Sequence, residues 1–282
     1  MDIIETVAAL RQRLQNAHPV RFVPTMGNLH EGHLQLVERA RALGGCVVTS
    51  LFVNPLQFGP QEDFERYPRT FAEDCAKLES VGCDLVFAPA VDELYPQAQQ
   101  VFVEPPPLAN ELCGAMRPGH FRGVATVVMK LFGCVQPDTA LFGKKDFQQL
   151  AVIRTLVRDL NLPVEIVGVE CVRAIDGLAL SSRNGYLSRS ERAEAPRLQR
   201  ILRRIADALA AGEADHAALS AAARSELEAH GWRVDYVAIR DPETLLPAAP
   251  GTPDWVVLAA AWLGNTRLID NIDAEADKAA SG

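Results

Sequence analysis

Arg21-Phe22-Val23-Pro24-Thr25-Met26-Gly27-Asn28-Leu29-His30-Glu31-Gly32-His33-Leu34 decides the fold, because it reads as a short strand, a glycine-bearing turn and the opening of a helix. The helix is carried onward by Leu34-x-x-Val37-x-x-Ala40 at helical spacing. The same alternation recurs over roughly the first 170 residues. Cys46–Phe52, Leu85–Ala88, Thr139–Phe142 and Val164–Val169 read as strands, and Phe71-x-x-x-Cys75-x-x-Leu78 and Leu150-x-x-Ile153-x-x-Leu156-Val157 as helices that cover the sheet. Strands alternating with helices predict an α/β fold, a doubly wound parallel sheet of Rossmann-like type. In such a sheet ligands bind beyond the carboxyl ends of the strands, so the loops after strands should carry the chemistry.

Beyond about residue 190 the texture changes. Ala-rich charged helices are expected over Pro196–Ala210 and Ala217–His230, then strands over Val234–Ile239 and Trp255–Ala261, which together predict a second, smaller α+β domain. The division is placed at 1–171 and 172–282. Glu104-Pro105-Pro106-Pro107 reads as a loop inside the first domain, and the tail from Asp273 as frayed.

The whole chain restricts the function classes. Its 282 residues are 48% hydrophobic, enough for a sizeable core. No apolar run approaches the roughly 20 positions of a membrane-spanning helix. Met1-Asp2-Ile3-Ile4-Glu5 is acidic where a signal peptide is basic, and is read as the start of a helix in a cytoplasmic protein. A net charge of -8 disfavours nucleic acid and anionic membranes as partners. The six cysteines form no C-x-x-C pair, which favours reduced thiols over disulfides or a structural zinc site.

Islands of Gly, His, Lys, Ser and Arg stand out in this acidic chain. In Pro24–His33 the helix start offers N–H groups and a positive dipole end, Gly27 and Gly32 admit close backbone approach, and His30 and His33 fall on one side. A phosphate fits that set; surface histidines or a helix cap are the plainer alternative. Phe52-Val53-Asn54-Pro55-Leu56-Gln57-Phe58 follows the next strand with neutral polar groups, and by itself is also an ordinary turn. Phe142-Gly143-Lys144-Lys145-Asp146-Phe147-Gln148-Gln149 repeats the strand-glycine-helix pattern and adds two cations, with Asp146 placed to cap the helix. Gly177-Leu178-Ala179-Leu180-Ser181-Ser182-Arg183-Asn184-Gly185-Tyr186 presents hydroxyls and a guanidinium suited to polyphosphate oxygens. Met116-Arg117-Pro118-Gly119-His120-Phe121-Arg122-Gly123 is read as a loop over the site.

In this order, and together with Tyr67-Pro68-Arg69-Thr70 and the terminal run from Ala259 to Asn271, these segments closely resemble the pantothenate synthetase family. The first and fourth islands are similar to the H-x-G-H and K-M-S-K-S-type elements of the nucleotidyltransferase superfamily. The resemblance implies an ATP-dependent ligase that condenses pantoate with β-alanine through a pantoyl-adenylate, releasing AMP and pyrophosphate. It implies ATP contacts at Met26, Gly27, Asn28, Leu29, His30, Glu31, Gly32 and His33, at Gly143, Lys144, Lys145 and Asp146, at Val172 through its backbone, and at Leu180, Ser181, Ser182 and Arg183. Pantoate is expected at Met26, Gln57 and Gln149, and β-alanine near Gln57. His33 would be the proton donor, with His30, Lys145 and Arg183 completing the catalytic set. The resemblance further implies a homodimer and Mg2+ with the nucleotide, without identifying a metal ligand. Asp74 is the carboxylate considered for that role, against the alternative of a helix charge facing water. Lys144 departs from the family, where many relatives carry Glu, so its side-chain role is open. An adenylyltransferase that stops at AMP transfer and a non-catalytic nucleotide sensor are the competing readings.

Overall fold

The computed structural model describes residues 1–59, 62 and 64–274. Its elements are β1 (Asp2–Ile4), α1 (Val7–Leu14), β2 (Val20–Thr25), α2 (Glu31–Ala42), β3 (Cys46–Leu51), α3 (Phe71–Ser80), β4 (Leu85–Phe87), α4 (Val91–Leu94), α5 (Cys113–Met116), α6 (His120–Val135), β5 (Thr139–Gly143), α7 (Phe147–Asp159) and β6 (Glu165–Val169). They are followed by α8 (Arg189–Glu194), α9 (Arg197–Ala210), α10 (His216–Ala229), β7 (Arg233–Arg240), β8 (Val256–Leu263) and β9 (Thr266–Asp273).

The first six strands form one parallel sheet in the order β1-β4-β3-β2-β5-β6. Their side chains alternate between two cores, as a pleated strand requires. Phe22, Val48, Phe87, Ala140 and Phe142 face one core with Leu10 of α1, Val128 of α6 and Ile153 of α7. Val23, Val47, Val86 and Leu141 face the other with Val37 and Ala40 of α2 and Leu78 of α3. The central strands β2, β3, β4 and β5 are buried on both faces, which is why they read as nearly continuous apolar runs. The chain builds outward from β2 through β3 to β4, then returns to the opposite flank of β2 with β5, where Arg21 pairs with Thr139. That reversal opens a crevice beyond the carboxyl ends of β2 and β5.

The amino terminus differs from expectation. Asp2–Ile4 is an edge strand paired with Leu85–Phe87, and the first helix begins only at Val7, with Thr6 accepting the Ala9 N–H at 3.3 Å. Ile3 and Ile4 are β-branched and suit a pleated surface better than a helix. A three-residue strand is too short to show alternation, so only the open edge of β4 reveals it.

The second, antiparallel sheet runs β7-β8-β9. Leu198, Ile201, Leu202 and Ile205 of α9 and Leu227 of α10 cover one face over Val257, Ala259 and Ala261. The other face, through Val256 and Leu258, packs on Phe147 and Ala151 of α7. β9 was not among the expected strands. Asp270, Asn271 and Asp273 make it look like a surface segment, yet they are only 4%, 6% and 6% exposed because they bond to the first sheet's loops. Asp273 is thus the ordered end of a strand, and the remainder of the tail expected to fray lies outside the described residues beyond Ala274.

Gly123 shows how tightly α6 meets the turn after β3: a Cβ there would lie 2.1 Å from the Leu56 carbonyl oxygen and 2.8 Å from the Gln57 Cα. Gly123→Ala should therefore destabilise the protein by about 1–3 kcal/mol through overpacking, read as a lower urea midpoint. An unchanged midpoint would mean that the turn moves freely away from α6.

Candidate active site

The crevice is walled by the ends of β2, β3 and β5 and by residues 170–172 and 180–183. After β2 the chain enters the left-handed region at Gly27 (φ 80°) and Asn28 (φ 50°), both residue types that tolerate it. Helix α3 grips this bend. Asp74 accepts the N–H groups of Asn28 and Leu29 at 2.8 and 2.7 Å and the Thr70 hydroxyl at 3.1 Å, while Lys77 Nζ donates to the Leu29 carbonyl at 2.8 Å. Asp74 is only 1% exposed, so it does not face water, and its oxygens are engaged by three donors. The amides of Asn28 and Leu29, which precede the helix start, accordingly serve the loop itself. Gly27, Asn28 and Leu29 form the bend and Glu31 opens α2, whereas Met26, His30, Gly32 and His33 line the cleft.

His30 caps α2 through Nδ1, which accepts the Gly32 N–H at 3.1 Å, and His33 Nδ1 accepts the His30 N–H at 3.3 Å. With both Nδ1 atoms acting as acceptors, the proton of each neutral ring sits on Nε2. The rings lie 4.1 Å apart between centroids. Burial, with Lys145 nearby, lowers His30 to about 4, and burial beside His30 lowers His33 to about 3. Both rings are therefore neutral at neutral pH and present an Nε2–H donor. Gly32 leaves room for the His30 ring, which a Cβ here would meet at 2.9 Å.

Buried Asn54 organises the turn after β3. Its Nδ2 donates to Gln57 Oε1 at 3.0 Å and to the Gly123 carbonyl at 3.2 Å, and its Oδ1 accepts from Tyr95 at 2.8 Å. This leaves Gln57 Nε2 directed at Met26 Sδ, 3.1 Å away, within the cleft. Above it, Arg117 makes a paired contact with Glu62, both at 2.6 Å, and donates to His120 Nε2 at 2.9 Å. His120 Nδ1–H in turn donates to the Gln57 carbonyl at 2.8 Å, and burial beside Arg117 lowers this imidazole to about 4.

The adjacent lysines after β5 diverge. Lys144 is buried between Glu170 at 2.6 Å and Asp273 at 3.0 Å, outside the main cleft lining, whereas Lys145, Asp146 and, one helical turn on, Gln149 line the cleft. Asp146 does not cap α7 with its side chain; it lies 3.5 Å from Lys145 Nζ instead. The Ser181–Arg183 turn closes the remaining wall, with Ser181 Oγ accepting the Arg183 N–H at 3.3 Å and Ser182 Oγ donating to the Asn28 carbonyl at 3.2 Å. Val172 and Leu180 complete it. Asn54 and Arg117 lie in segments that the sequence places at the site, though without a role of their own, whereas Tyr67 as a lining residue and Lys77 and Asn271 as supports are not marked by the sequence. Asn54 carries a local signal in its Asn-Pro step at a strand end, and Arg117 in the cationic, glycine-bearing segment around it.

A sequence profile of the family described as pantoate-beta-alanine ligase matches residues 2–273. The chain belongs to that family. It is 61% identical to the pantothenate synthetase of Thiobacillus denitrificans, over 97% of both chains. It is 62% identical to that of Chromobacterium violaceum, over 97% of this chain and 99% of the relative. The crystal structure of pantothenate synthetase from Thermus thermophilus matches with a TM-score of 0.92 at 51% identity, over 97% of this chain and 99% of that one. The pantoate-beta-alanine ligase of Francisella tularensis, solved with beta-gamma ATP and beta-alanine, matches with a TM-score of 0.83 at 30% identity, over 98% of each. Family and fold thus agree with the resemblance drawn from the motifs, and the chain is a ligase that joins pantoate to β-alanine.

At pH 5.5, where an imidazole of ordinary pKa near 6.5 is mostly protonated, nitrogen-15 NMR should find His30 and His33 neutral and protonated on Nε2. His120 should be neutral and protonated on Nδ1. Because these folded-state values lie below the unfolded one, the unfolded chain binds more protons as pH falls from 6.5 toward 4, and these rings then contribute a loss of stability. Charged rings at pH 5.5 would contradict the assigned hydrogen bonds.

Proposed function

We propose that the cleft joins its substrates in two steps, with ATP held by the first, third and fourth islands and pantoate beside Met26, Gln57 and Gln149. A carboxylate is a poor acylating agent, since its leaving group would be oxide. Pantoate therefore first attacks the α-phosphorus of ATP, its carboxylate oxygen becoming the bridge of a pantoyl-adenylate as pyrophosphate departs. The amine of β-alanine, bound near Gln57, then attacks the pantoyl carbonyl, loses a proton, and expels AMP. The observation that carries this reading is the pairing of two kinds of wall in one crevice: Nε2–H imidazoles with Lys145, and the neutral amides of Gln57 and Gln149.

The first wall meets charge that grows during the first step. His30 and His33 donate as neutral groups, so they add no fixed charge to the resting site and gain as the phosphate oxygens become more negative. Lys145 and Arg183 meet the triphosphate already in the ground state, and Ser181, Ser182, Asp146 and the Val172 backbone complete the nucleotide contacts. Gln57 and Gln149 orient the pantoate carboxylate without quenching its nucleophilicity as an arginine pair would. That the Francisella relative was solved with beta-gamma ATP and beta-alanine supports the choice of these two ligands. Lys144, paired with Glu170 and Asp273, contributes through the turn that holds Lys145 rather than by reaching the nucleotide.

Magnesium is proposed to arrive with the nucleotide. Among the described residues no three His, Cys, Asp or Glu side chains converge on one point, and the Asp74 oxygens are already engaged. Phosphate oxygens and water would supply most of its ligands, and no step is assigned to it. The proposed units are 1–171, carrying most of the cleft, and 172–282, which brings residues 180–183 over it and closes on the substrates. A cytoplasmic homodimer is the proposed setting, in keeping with the family resemblance; among the described residues no helix is long and apolar enough to cross a membrane.

The decisive test is a partial reaction. Labelled pyrophosphate should exchange into ATP with pantoate present and β-alanine absent. Exchange that requires β-alanine would indicate single-step condensation, and none under any condition would indicate a nucleotide sensor. Oxygen label from the pantoate carboxylate should appear in AMP once the amide forms. His33→Ala should lower exchange turnover about 100- to 1,000-fold while changing ATP affinity far less. Near-normal turnover would remove His33 from the reaction.

A further inference from the structure

Two consecutive lysines that start from the same turn end in opposite places, one between two carboxylates behind the cleft and one in it. The backbone must make that choice. The direction of the Lys145 side chain is set by the two peptide planes that flank its Cα, since peptide planes are rigid and only φ and ψ rotate between them. The carbonyl of Lys144 belongs to the first plane and the carbonyl of Lys145 to the second. One atom holds both: Asn271 Nδ2 donates to the Lys144 carbonyl at 2.9 Å and to the Lys145 carbonyl at 2.8 Å.

Asn271 is itself immobilised. It is 6% exposed, lies on β9 opposite Leu258 of β8, and its carbonyl accepts from Arg173 Nη2 at 3.0 Å. The neighbouring Asp270 carboxylate receives both ends of the Arg173 guanidinium at 2.7 and 2.9 Å. Two residues further on, Asp273 fixes the Lys144 ammonium. A primary amide suits this position because it places two donors on one nitrogen. Aspartate would set oxygen against both carbonyls, and serine would supply one donor only.

We infer that Asn271 is a positioning residue for Lys145: β9 of the second sheet clamps the two peptide planes that aim this lysine into the cleft. The inference deepens the proposed function, since it rests on Lys145 meeting the nucleotide. It also ties the seating of the second sheet to the geometry of the catalytic crevice, because the clamp exists only while β9 is docked against the turn after β5.

The test is a double-mutant cycle read by pantoate-dependent exchange of pyrophosphate into ATP, with turnover and the KM for ATP measured separately. Asn271→Ala should lower turnover about 10- to 100-fold, the scale of losing orientation of one reacting group, and Asn271→Ser should lose less. In a Lys145→Ala background the same substitution should cost less than twofold, because the side chain it directs is gone. Equal losses in the two backgrounds would show a merely structural role and overturn the inference, as would an Asn271→Ala enzyme of normal turnover. If Asn271→Ala does not fold, Asn271→Ser carries the cycle. A second measurement is independent of catalysis: reductive methylation with formaldehyde and cyanoborohydride, quantified for each lysine by peptide mass spectrometry. Asn271→Ser should raise the labelling of Lys145 severalfold relative to that of Lys130, and unchanged labelling would overturn the clamp. Should Lys145→Ala leave exchange intact, the proposed role of Lys145 fails, and the labelling result still decides whether Asn271 directs it.

Discussion

The structure depends on a reversal of strand order. Because β3 and β5 pair with opposite flanks of β2, the loops that leave these strands splay apart and leave an open crevice where a packed edge would otherwise form. The islands that begin at Pro24, Phe52 and Phe142 land on that crevice for the same reason: each follows a strand whose carboxyl end points there. The apolar alternation that seats β2, β3 and β5 between two helix layers is thus also what aims their loops. A change of one residue in register would turn every side chain to the wrong face and carry the loops with it.

Placing loops is not enough to fix atoms within them, and this protein uses buried polar groups for the second task. Asp74 holds the amides after β2, Asn54 holds the Gln57 side chain after β3, and Asn271 holds the carbonyls after β5. All three are at most 6% exposed. A hydrogen bond of this kind contributes only about 1 kcal/mol net to stability, but an unmade one inside the protein costs about 1–3 kcal/mol, so the arrangement is steeply preferred over its alternatives. The result is a crevice whose donors are aimed before any substrate arrives, which is the condition under which electrostatic stabilisation of a transition state is most effective. The two imidazoles belong to the same scheme. Each Nδ1 is committed to a backbone N–H, so the tautomer that presents Nε2–H is set by the fold.

The sequence by itself determined the alternation of strands and helices, the parallel sheet, the islands and their order, and through them the family. These are readable because they depend on periods of two or about 3.6 residues and on glycine, proline and cap chemistry within one turn. Asp2–Ile4 escaped because three residues cannot display a period, and its pairing with β4 is set by a free sheet edge. Tertiary structure alone decided the roles of the charged and polar supports. Asp74 looks like a water-facing helix charge until its partners 45 residues away are known, and Asn271 like a surface amide until the turn 127 residues away is folded against it. Lys144 and Lys145 are chemically identical neighbours, and nothing local distinguishes the one that pairs with Glu170 and Asp273 from the one that enters the cleft. The physical reason is common to all of them. Burying a polar or charged group is favourable only when a specific partner meets it, and those partners come from strands and helices that the chain brings together only on folding.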